Sequence, residues 1–576
     1  MDLQLAGFVA TEMLRSSARA VLNAPPLRWR YSGSRSARLS IAPQDLRTAD
    51  PTVAAEIYAG RFAFAGKFAL ANGRSPFEIV PPSEEWAKAL YGFGWMRHLR
   101  AADSALSRAN ARALVEEWID MQGRWHSLAW NIEITARRVL AWLAQSPLVL
   151  EQADIAFYRK FAASLTKQVD YLISMRRLMR PSLMRLQVTI ALAQAALCLE
   201  QQSLQRRSAR WLEKELKAQI LADGGHMSRN PGLILQILLD ILPLRHSYVA
   251  LSLMPPQMLL TAIDRMMPMV RFFRHGDGAV ALFNGMGPTP ADIIATLLAY
   301  DETRGEPPLS APVSGYQRLQ MKDILVMADA GAAPPVLFSQ EAHAGALSFE
   351  FSDAADRIVV NCGMPWAARK TWEPVVRHTS AHSTLEIENI SSADFPRKAL
   401  TKKLLGPVMT HGPRRVACET ESNSIQSELV MSHDGYARSL GCIHQRHMTL
   451  TTDGREVLGV DEILPASGKN LPEDIAYALR FHLHPYVRAS LVRDGEGVLL
   501  LLMSGRAWKF TAAGMKAAIE ESLYFGGADG ARRCEQIVLR GSLAQMSQIR
   551  WRFSRCQPLF SEKLAQQENK ELDLPL

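Results

Sequence analysis

The sequence predicts a chain in two parts, a succession of stacked helical hairpins followed by an antiparallel β-sandwich. Three observations predict it. At 576 residues the chain exceeds what one hydrophobic core ordinarily serves, so two domains are expected, or three at most. Up to about residue 310 apolar side chains recur at every third and fourth position, and beyond it the period falls to two. The change coincides with a turn-rich segment, Arg304-Gly-Glu-Pro-Pro-Leu-Ser-Ala-Pro-Val-Ser314.

The helical pattern runs through Ala111–Met121, Ile132–Leu143, Ile155–Met175, Leu186–Leu199, Trp211–Leu221, Leu233–Leu244 and Pro256–Val270. Short breaks with Pro or Gly separate several of these stretches, which fits antiparallel neighbours stacked as hairpins. In the second part, Leu347, Phe349 and Phe351 share one face of a strand, and so do Tyr477, Leu479, Phe481 and Leu483. Arg480, His482 and His484 occupy the opposite face of the latter strand, a basic stripe to be read as a metal-binding or site-supporting pair or, preferably, as a solvated face. Turn signals at Asp453-Gly and Asp494-Gly-Glu-Gly separate such runs, as in a sandwich. The expected domains are residues 1–310 (helical), 311–560 (β-sandwich) and a polar, fraying tail at 561–576.

Composition excludes several classes. Hydrophobic residues make up 48% and charged ones 21%, too much apolar material for a disordered chain. The longest apolar run, Val188–Leu199, is short of the roughly 18–20 residues a membrane span needs. Asp2 and Glu12 stand where a secretory leader would be basic, so a cytoplasmic location is expected. The net charge is +9, and only 16 of the 66 basic residues are Lys. Guanidinium forks match carboxylate, sulfate and phosphate, so an anionic polymer is a natural partner. There is no dense basic run or zinc-finger spacing, which argues against nucleic acid. The six cysteines lie far apart with no C-x-x-C, against a disulfide framework or zinc ribbon.

Two loops and one β-domain constellation stand out. In Asp223-Gly-Gly-His-Met-Ser-Arg-Asn-Pro231, Asn230 suits an N-cap and Pro231 the first helical position. His226 and Arg229 have no capping task, and a helix N-terminus favours anions. In Phe272-Phe-Arg-His-Gly-Asp-Gly278, Arg274, His275 and Asp277 fall in a Gly-rich turn, to be read as a binding loop or as a C-capping turn. In the β part, His343, Asn361 and His382 stand at strand starts and ends. Two imidazoles and an oxygen donor fit a zinc site or a substrate contact, although each histidine alone reads as structural.

These segments together resemble the heparinase II/III family of polysaccharide lyases. The likeness is carried by Gly60-Arg-Phe-Ala-Phe-Ala-Gly66, Trp95-Met-Arg-His-Leu-Arg100 and Asp223-Gly-Gly-His226, and most specifically by Glu341-Ala-His-Ala-Gly-Ala-Leu-Ser-Phe349, Asn361-Cys-Gly363 and Ala381-His-Ser-Thr384. The resemblance implies an incomplete (α/α) toroid packed on an antiparallel β-sandwich, with an acidic polysaccharide in the cleft between them. It also implies β-elimination: neutralise a uronate carboxylate, remove the α proton, and protonate the leaving oxygen. It further suggests a cell-envelope or periplasmic location as the alternative to the cytoplasm.

Against the family pattern, Glu341 replaces a catalytic His, Gly345 an Asp, Asn361 a metal-binding Asp, and Pro181-Ser-Leu183 an Asn-Asn-His. Tyr248 and Tyr316 are the candidates for a catalytic Tyr, and Phe283 is the aromatic next to the Gly-rich loop. The reading that follows is a carbon–oxygen lyase with His226, His343, Tyr248 and Glu341 at its catalytic centre. Arg229, Asn230, Arg274 and His275 would bind substrate, and His343, Asn361 and His382 would form a weak divalent-metal (zinc) site, with no cofactor required. The rival is a non-catalytic glycan-binding or envelope-assembly protein, and a third option is a hydrolase with Glu341 and Asp277 as its carboxylate pair.

Overall fold

The structure, a computed structural model, describes residues 3–556 apart from 25–30, 32, 35–36, 124–127, 302–304, 367–368, 423–425, 469–470, 472–473 and 493–495. The tail at 561–576 and the turn at Asp494 lie outside the described residues. The seven expected helices run over Ala105–Gln122, Ile132–Ala144, Ile155–Arg176, Leu183–Cys198, Gln202–Gln219, Pro231–Ala250 and Gln257–Phe272. Side chains of Asn131, Asp154, Ser182 and Asn230 accept backbone N–H groups at four of their N-termini. Ile132–Ala144, Leu183–Cys198 and Pro231–Ala250 pack side by side as an inner wall. Leu183–Cys198 is buried without a break from Leu186 to Cys198, because neighbours cover it on every side. Gln202–Gln219 and Gln257–Phe272 are amphipathic and form part of the outer layer. The sequence pattern did not disclose the helices Leu3–Leu22, Pro51–Tyr58, Glu84–Gly92 and Met96–Ala102, or the hairpin Arg61–Phe64 with Lys67–Leu70.

One helix among the described residues, Pro231–Ala250 rather than the run at Val188–Leu199, is long and apolar enough to cross a membrane. Most of it is packed inside the domain, and Asp240 near its middle pairs with Arg47 at 2.6 Å and Arg137 at 2.7 Å. A paired carboxylate in mid-helix marks a core helix held by neighbours.

The second part is two antiparallel sheets face to face. One has the order Arg488–Leu491, Val498–Leu501, Ala507–Ala512, Gln548–Arg555, Glu456–Pro465, Cys442–Thr451, Gln426–His433, Val416–Ser422. The other has the order Ala517–Tyr524, Arg532–Ser542, Ala476–Leu483, Asp356–Val360, Phe349–Asp353, Ile324–Asp329, Tyr316–Met321, Ser310–Ala311, with Leu385–Ile387 added beside Ala476–Leu483. Aromatic rings fill the space between them, among them Phe349 stacked on Trp551 at 5.5 Å. The back of the second sheet lies against the helical domain. In Ile324–Asp329, Ile324, Val326 and Ala328 face the sandwich core while Leu325 and Met327 join the helical core. A strand covered on both faces is apolar at successive positions, as Ile-Leu-Val-Met-Ala is here.

Arg480, His482 and His484 are buried (8%, 2% and 7% exposed), contrary to the solvated face expected of them. Their strand is internal to the sheet, and the segment around Ser380 covers its polar side. His482 meets Ser522 Oγ at 2.7 Å and the Ser380 carbonyl at 3.0 Å, and Arg480 pairs with Glu386 at 3.1 Å.

A second buried charge fixes the sandwich itself. The Asp461 carboxylate meets His444 Nε2 at 2.6 Å and accepts from Arg446 Nε at 2.8 Å and Trp551 Nε1 at 2.7 Å. Arg446 also donates to the carbonyls of Leu347 at 2.7 Å and Ser383 at 3.0 Å, tying both sheets together. Arg446→Ala strands Asp461 in the core and should cost about 3–5 kcal/mol. Urea unfolding followed by tryptophan fluorescence measures it; a loss below about 1 kcal/mol would show that the network does not hold the sandwich.

Candidate functional site

The two loops singled out in the sequence meet the back of the second sheet. In the first, Gly224 has φ +88°, and a Cβ there would run into the Arg265 carbonyl. A Cβ on Gly225 would lie 2.5 Å from the Ser314 side chain, so only glycine allows this approach. Asp223 accepts the Ser314 N–H at 2.6 Å and its hydroxyl at 3.0 Å. Arg229, in the left-handed region at φ +64°, donates to the carbonyls of Ser314 at 2.7 Å, Gly315 at 3.0 Å and Gly331 at 3.1 Å, and it pairs with Asp329. It is 8% exposed with its donors consumed, so it is an interdomain clamp and not the anion binder expected.

The second loop behaves alike. His275 meets Glu350 Oε2 at 2.9 Å through Nε2 and Ser352 Oγ at 3.0 Å through Nδ1, wholly buried; it too docks the domains and does not contact a substrate. Arg274 lies outside the cleft described below, and its carbonyl accepts from Arg318 at 3.1 Å. Asp277 pairs with Arg357 at 2.8 Å and is not in the cleft with Glu341, so the hydrolase pair is not assembled.

Neither tyrosine serves. Tyr248 lies eighteen residues beyond Asn230 on the same helix, about 27 Å along its axis, in the helical core. Tyr316 is buried and donates its hydroxyl to the Arg229 carbonyl, with burial raising its pKa well above the usual range. Phe283 is buried beside it.

The interdomain cleft encloses about 620 Å³. Its helical wall is built from the starts of the three inner helices, with Ile132 and Glu133, Ser182 to Met184, and Leu233. Three helix N-termini thus converge on one space, and each favours negative charge. Arg137, Arg180, Arg369 and Arg19 line it as well, none of them singled out by the sequence. The caps Asn131 and Ser182 were the available signal, since each marks a helix start next to the cleft. Across from them Glu341 accepts from Asn230 Nδ2 at 2.7 Å and Arg369 Nη2 at 2.6 Å. Gly285 lies beneath this contact, where a Cβ would come within 2.8 Å of Glu341.

His226 lines the cleft but is only 1% exposed, with Nδ1 2.8 Å from Ser228 Oγ and Nε2 3.3 Å from Gln219 Oε1. Burial pushes its pKa down to about 4, so it is neutral at ordinary pH. His343 lies behind Glu341; its backbone N–H donates to Asn284 Oδ1 at 3.1 Å. The His343 and His382 rings are 5.1 Å apart, and burial holds both in the neutral form. Neither ring nitrogen of His343 has a hydrogen-bond partner among the described residues. The third donor expected for a metal is already engaged: Asn361 Oδ1 accepts from Ser383 N at 3.0 Å and its Nδ2 donates to Glu350 at 3.2 Å. Gly345 packs against the His382 ring, where a Cβ would come within 3.0 Å, so no carboxylate fits there. No group of three or more His, Cys, Asp or Glu suited to a metal occurs among the described residues, and this donor set does not fit a tightly held cation.

This combination, a helical toroid docked on a two-sheet sandwich with a cleft between, is the architecture of heparinase-type polysaccharide lyases. Heparinase III superposes with a TM-score of 0.67 at 13% identity, over 86% of this chain and 80% of that one. A mutant heparan sulfate lyase of Pedobacter heparinus gives 0.63 at 15% identity, over 97% and 91%. The family model described as "Heparinase II/III-like, C-terminal" matches residues 303–552. Residues 303–552 thus carry the heparinase II/III-like C-terminal domain, and the chain as a whole shares the fold of these lyase structures. It is also 29% identical over 568 residues to the FtsZ-localized protein C of Caulobacter vibrioides, covering 96% of this chain and 97% of that one.

Neutral buried histidines set a pH dependence. The pKa values are about 4 for His226 and about 3 for His482, both lowered by burial, against about 6.5 in an unfolded chain. Between those limits the unfolded chain binds protons that the folded one refuses. Stability is therefore complete above pH 6.5 and falls as pH drops, by up to about 1.4 kcal/mol per unit for each such histidine. The melting temperature should decline from pH 7 to pH 4.5, and His226→Gln should flatten the decline. An unchanged slope in the variant would refute the assignment.

Proposed function

We propose that the interdomain cleft binds an acidic, uronate-bearing polysaccharide and holds it without cleaving it. The observation that carries this is the pairing of Glu341 with Arg369 and Asn230. The residue at the position of the lyase family's histidine is an acceptor tied to a cation, and it takes no proton from a sugar. Three helix N-termini and the cleft arginines remain, and they suit carboxylate and sulfate groups. The Caulobacter relative is named for localisation with FtsZ and not for a reaction, which supports a binding protein held at a defined place. On this reading the chain needs no bound metal, and we extend to it an association with the division machinery.

A second reading, the lyase, is favoured by one observation: His226 lines the cleft. The two differ in product. Incubation with heparin, hyaluronan, alginate and polygalacturonate, followed at the ultraviolet absorbance of unsaturated uronates, should give no signal, while calorimetry detects binding that weakens with salt. Arg180→Gln should weaken that binding about tenfold, the usual size of one charge-assisted hydrogen bond. Product formation that His226→Ala reduces by roughly 10²–10⁴ would establish the lyase instead.

A further inference from the structure

The helix Leu3–Leu22 lies across the mouth of the cleft. Val9 is buried with Leu405 and Val408 of the C-terminal domain, and Leu5, Phe8, Val336 and Leu404 pack around them. At its other end Arg19 Nη1 donates to the Leu178 carbonyl of the helical domain at 3.2 Å. The helix therefore bridges both walls, and two of its side chains, Glu12 and Arg19, line the cleft. All its charged side chains, Glu12, Arg15 and Arg19, lie on the buried or half-buried side, and Met13, Leu14 and Val21 face out. An amphipathic surface helix ordinarily points its charges outward. This one turns a carboxylate inward, toward a space rich in arginine.

The polar atoms there are incompletely satisfied. Glu12 Oε1 accepts from Arg19 Nη2 at 2.6 Å, while Oε2 is shielded from solvent without a hydrogen bond, 3.9 Å from Arg15 Nη1. Arg180 Nη2 donates to the Leu405 carbonyl at 2.8 Å, and its Nη1 is likewise shielded and without a partner among the described residues. Of the cleft arginines, Arg137 pairs with Asp240, Arg369 with Glu341 and Arg19 with Glu12. Of these four, Arg180 is the one with a fork end shielded from solvent and without a partner among the described residues, and a buried donor without a partner is costly until something supplies an acceptor.

We propose that this helix is a pseudosubstrate strap: Glu12 presents to the cleft the carboxylate that an acidic glycan would bring, and the helix is displaced when the glycan enters. The proposal rests on the reading of the cleft as a uronate-binding site and names the regulation of that site. The uronate carboxylate takes the place of Glu12, whose partner Arg19 leaves with it on the same helix, and gives Arg180 Nη1 its missing acceptor. The apolar contact of Val9, Phe8 and Leu5 sets how tightly the strap is held.

The test uses the full chain as wild type, Val9→Asp and Glu12→Gln. Hydrogen exchange of residues 3–22 reports strap position, and calorimetry with a galacturonate hexamer and a heparin hexasaccharide reports binding. Val9→Asp should speed exchange across the helix and tighten binding about tenfold, within the usual range for coupling between two sites. Glu12→Gln keeps the apolar contact, so it should tighten binding less, and it remains informative if Val9→Asp folds poorly. Saturating hexamer should speed exchange of the wild-type helix. Equal affinity in all three proteins, with the helix released in Val9→Asp, would overturn the strap and leave the glycan reading standing, as would ligand that slows exchange there. Absence of binding in every protein, released helix included, would overturn the glycan reading and the strap with it.

Discussion

Two carboxylates on the back of one sheet govern this molecule. Asp329 and Glu350 project from neighbouring strands into a dry interface, where an unpaired charge would cost several kcal/mol. The helical domain answers each from a loop that follows a helix, with Arg229 for Asp329 and His275 for Glu350. Both sites need their partner in place, so the two domains have one relative position in which the interface is satisfied. The cleft exists because of that position: Glu341 can meet Asn230 only when the sheet carrying it is docked through the neighbouring Arg229.

The same constraint explains why the sequence misled about particular residues. His226, Arg229, Arg274 and His275 occur in Gly-rich turns at helix ends, which is the setting of an anion site and equally of a docking loop. Local pattern does not distinguish these, because the difference is whether another domain closes over the turn. The family likeness placed the His226 loop at the cleft, yet Arg229 of that loop faces the sheet, and the loop of Arg274 and His275 lies outside the cleft. Arg137, Arg180 and Arg369 stand on helices or in a segment without a motif, and only tertiary packing brings them together.

The architecture was far more legible. A period of three to four giving way to two near residue 310 reflects which faces are buried, and burial is what the fold consists of. The seven helices were visible for that reason, although their ends extend beyond the apolar pattern wherever a cap continues the helix. The basic stripe at Arg480, His482 and His484 was misjudged by the same logic. Alternation tells which residues share a face, but not whether a further segment covers the polar one; here the segment around Ser380 does, and Ser522 and Glu386 of the same sheet pair with the side chains beneath it.

Charge balance in the cleft bears on what chemistry the fold retains. Elimination needs a cation free to neutralise the substrate carboxylate, together with a base positioned for the α proton. In this cleft Arg137, Arg369 and Arg19 are already matched to Asp240, Glu341 and Glu12, Arg180 keeps one fork end without an acceptor among the described residues, and the imidazoles are neutral and enclosed. On the proposed reading such a site admits an anion by exchange, one carboxylate leaving as another arrives. The change in electrostatic energy on exchange is then small, which suits reversible recognition. Catalysis depends instead on interactions stronger in the transition state than in the bound ground state. On the proposed reading Glu341 and the inward-facing Glu12 act in the same direction, since each satisfies a cleft cation at rest and gives way when a substrate carboxylate takes its place.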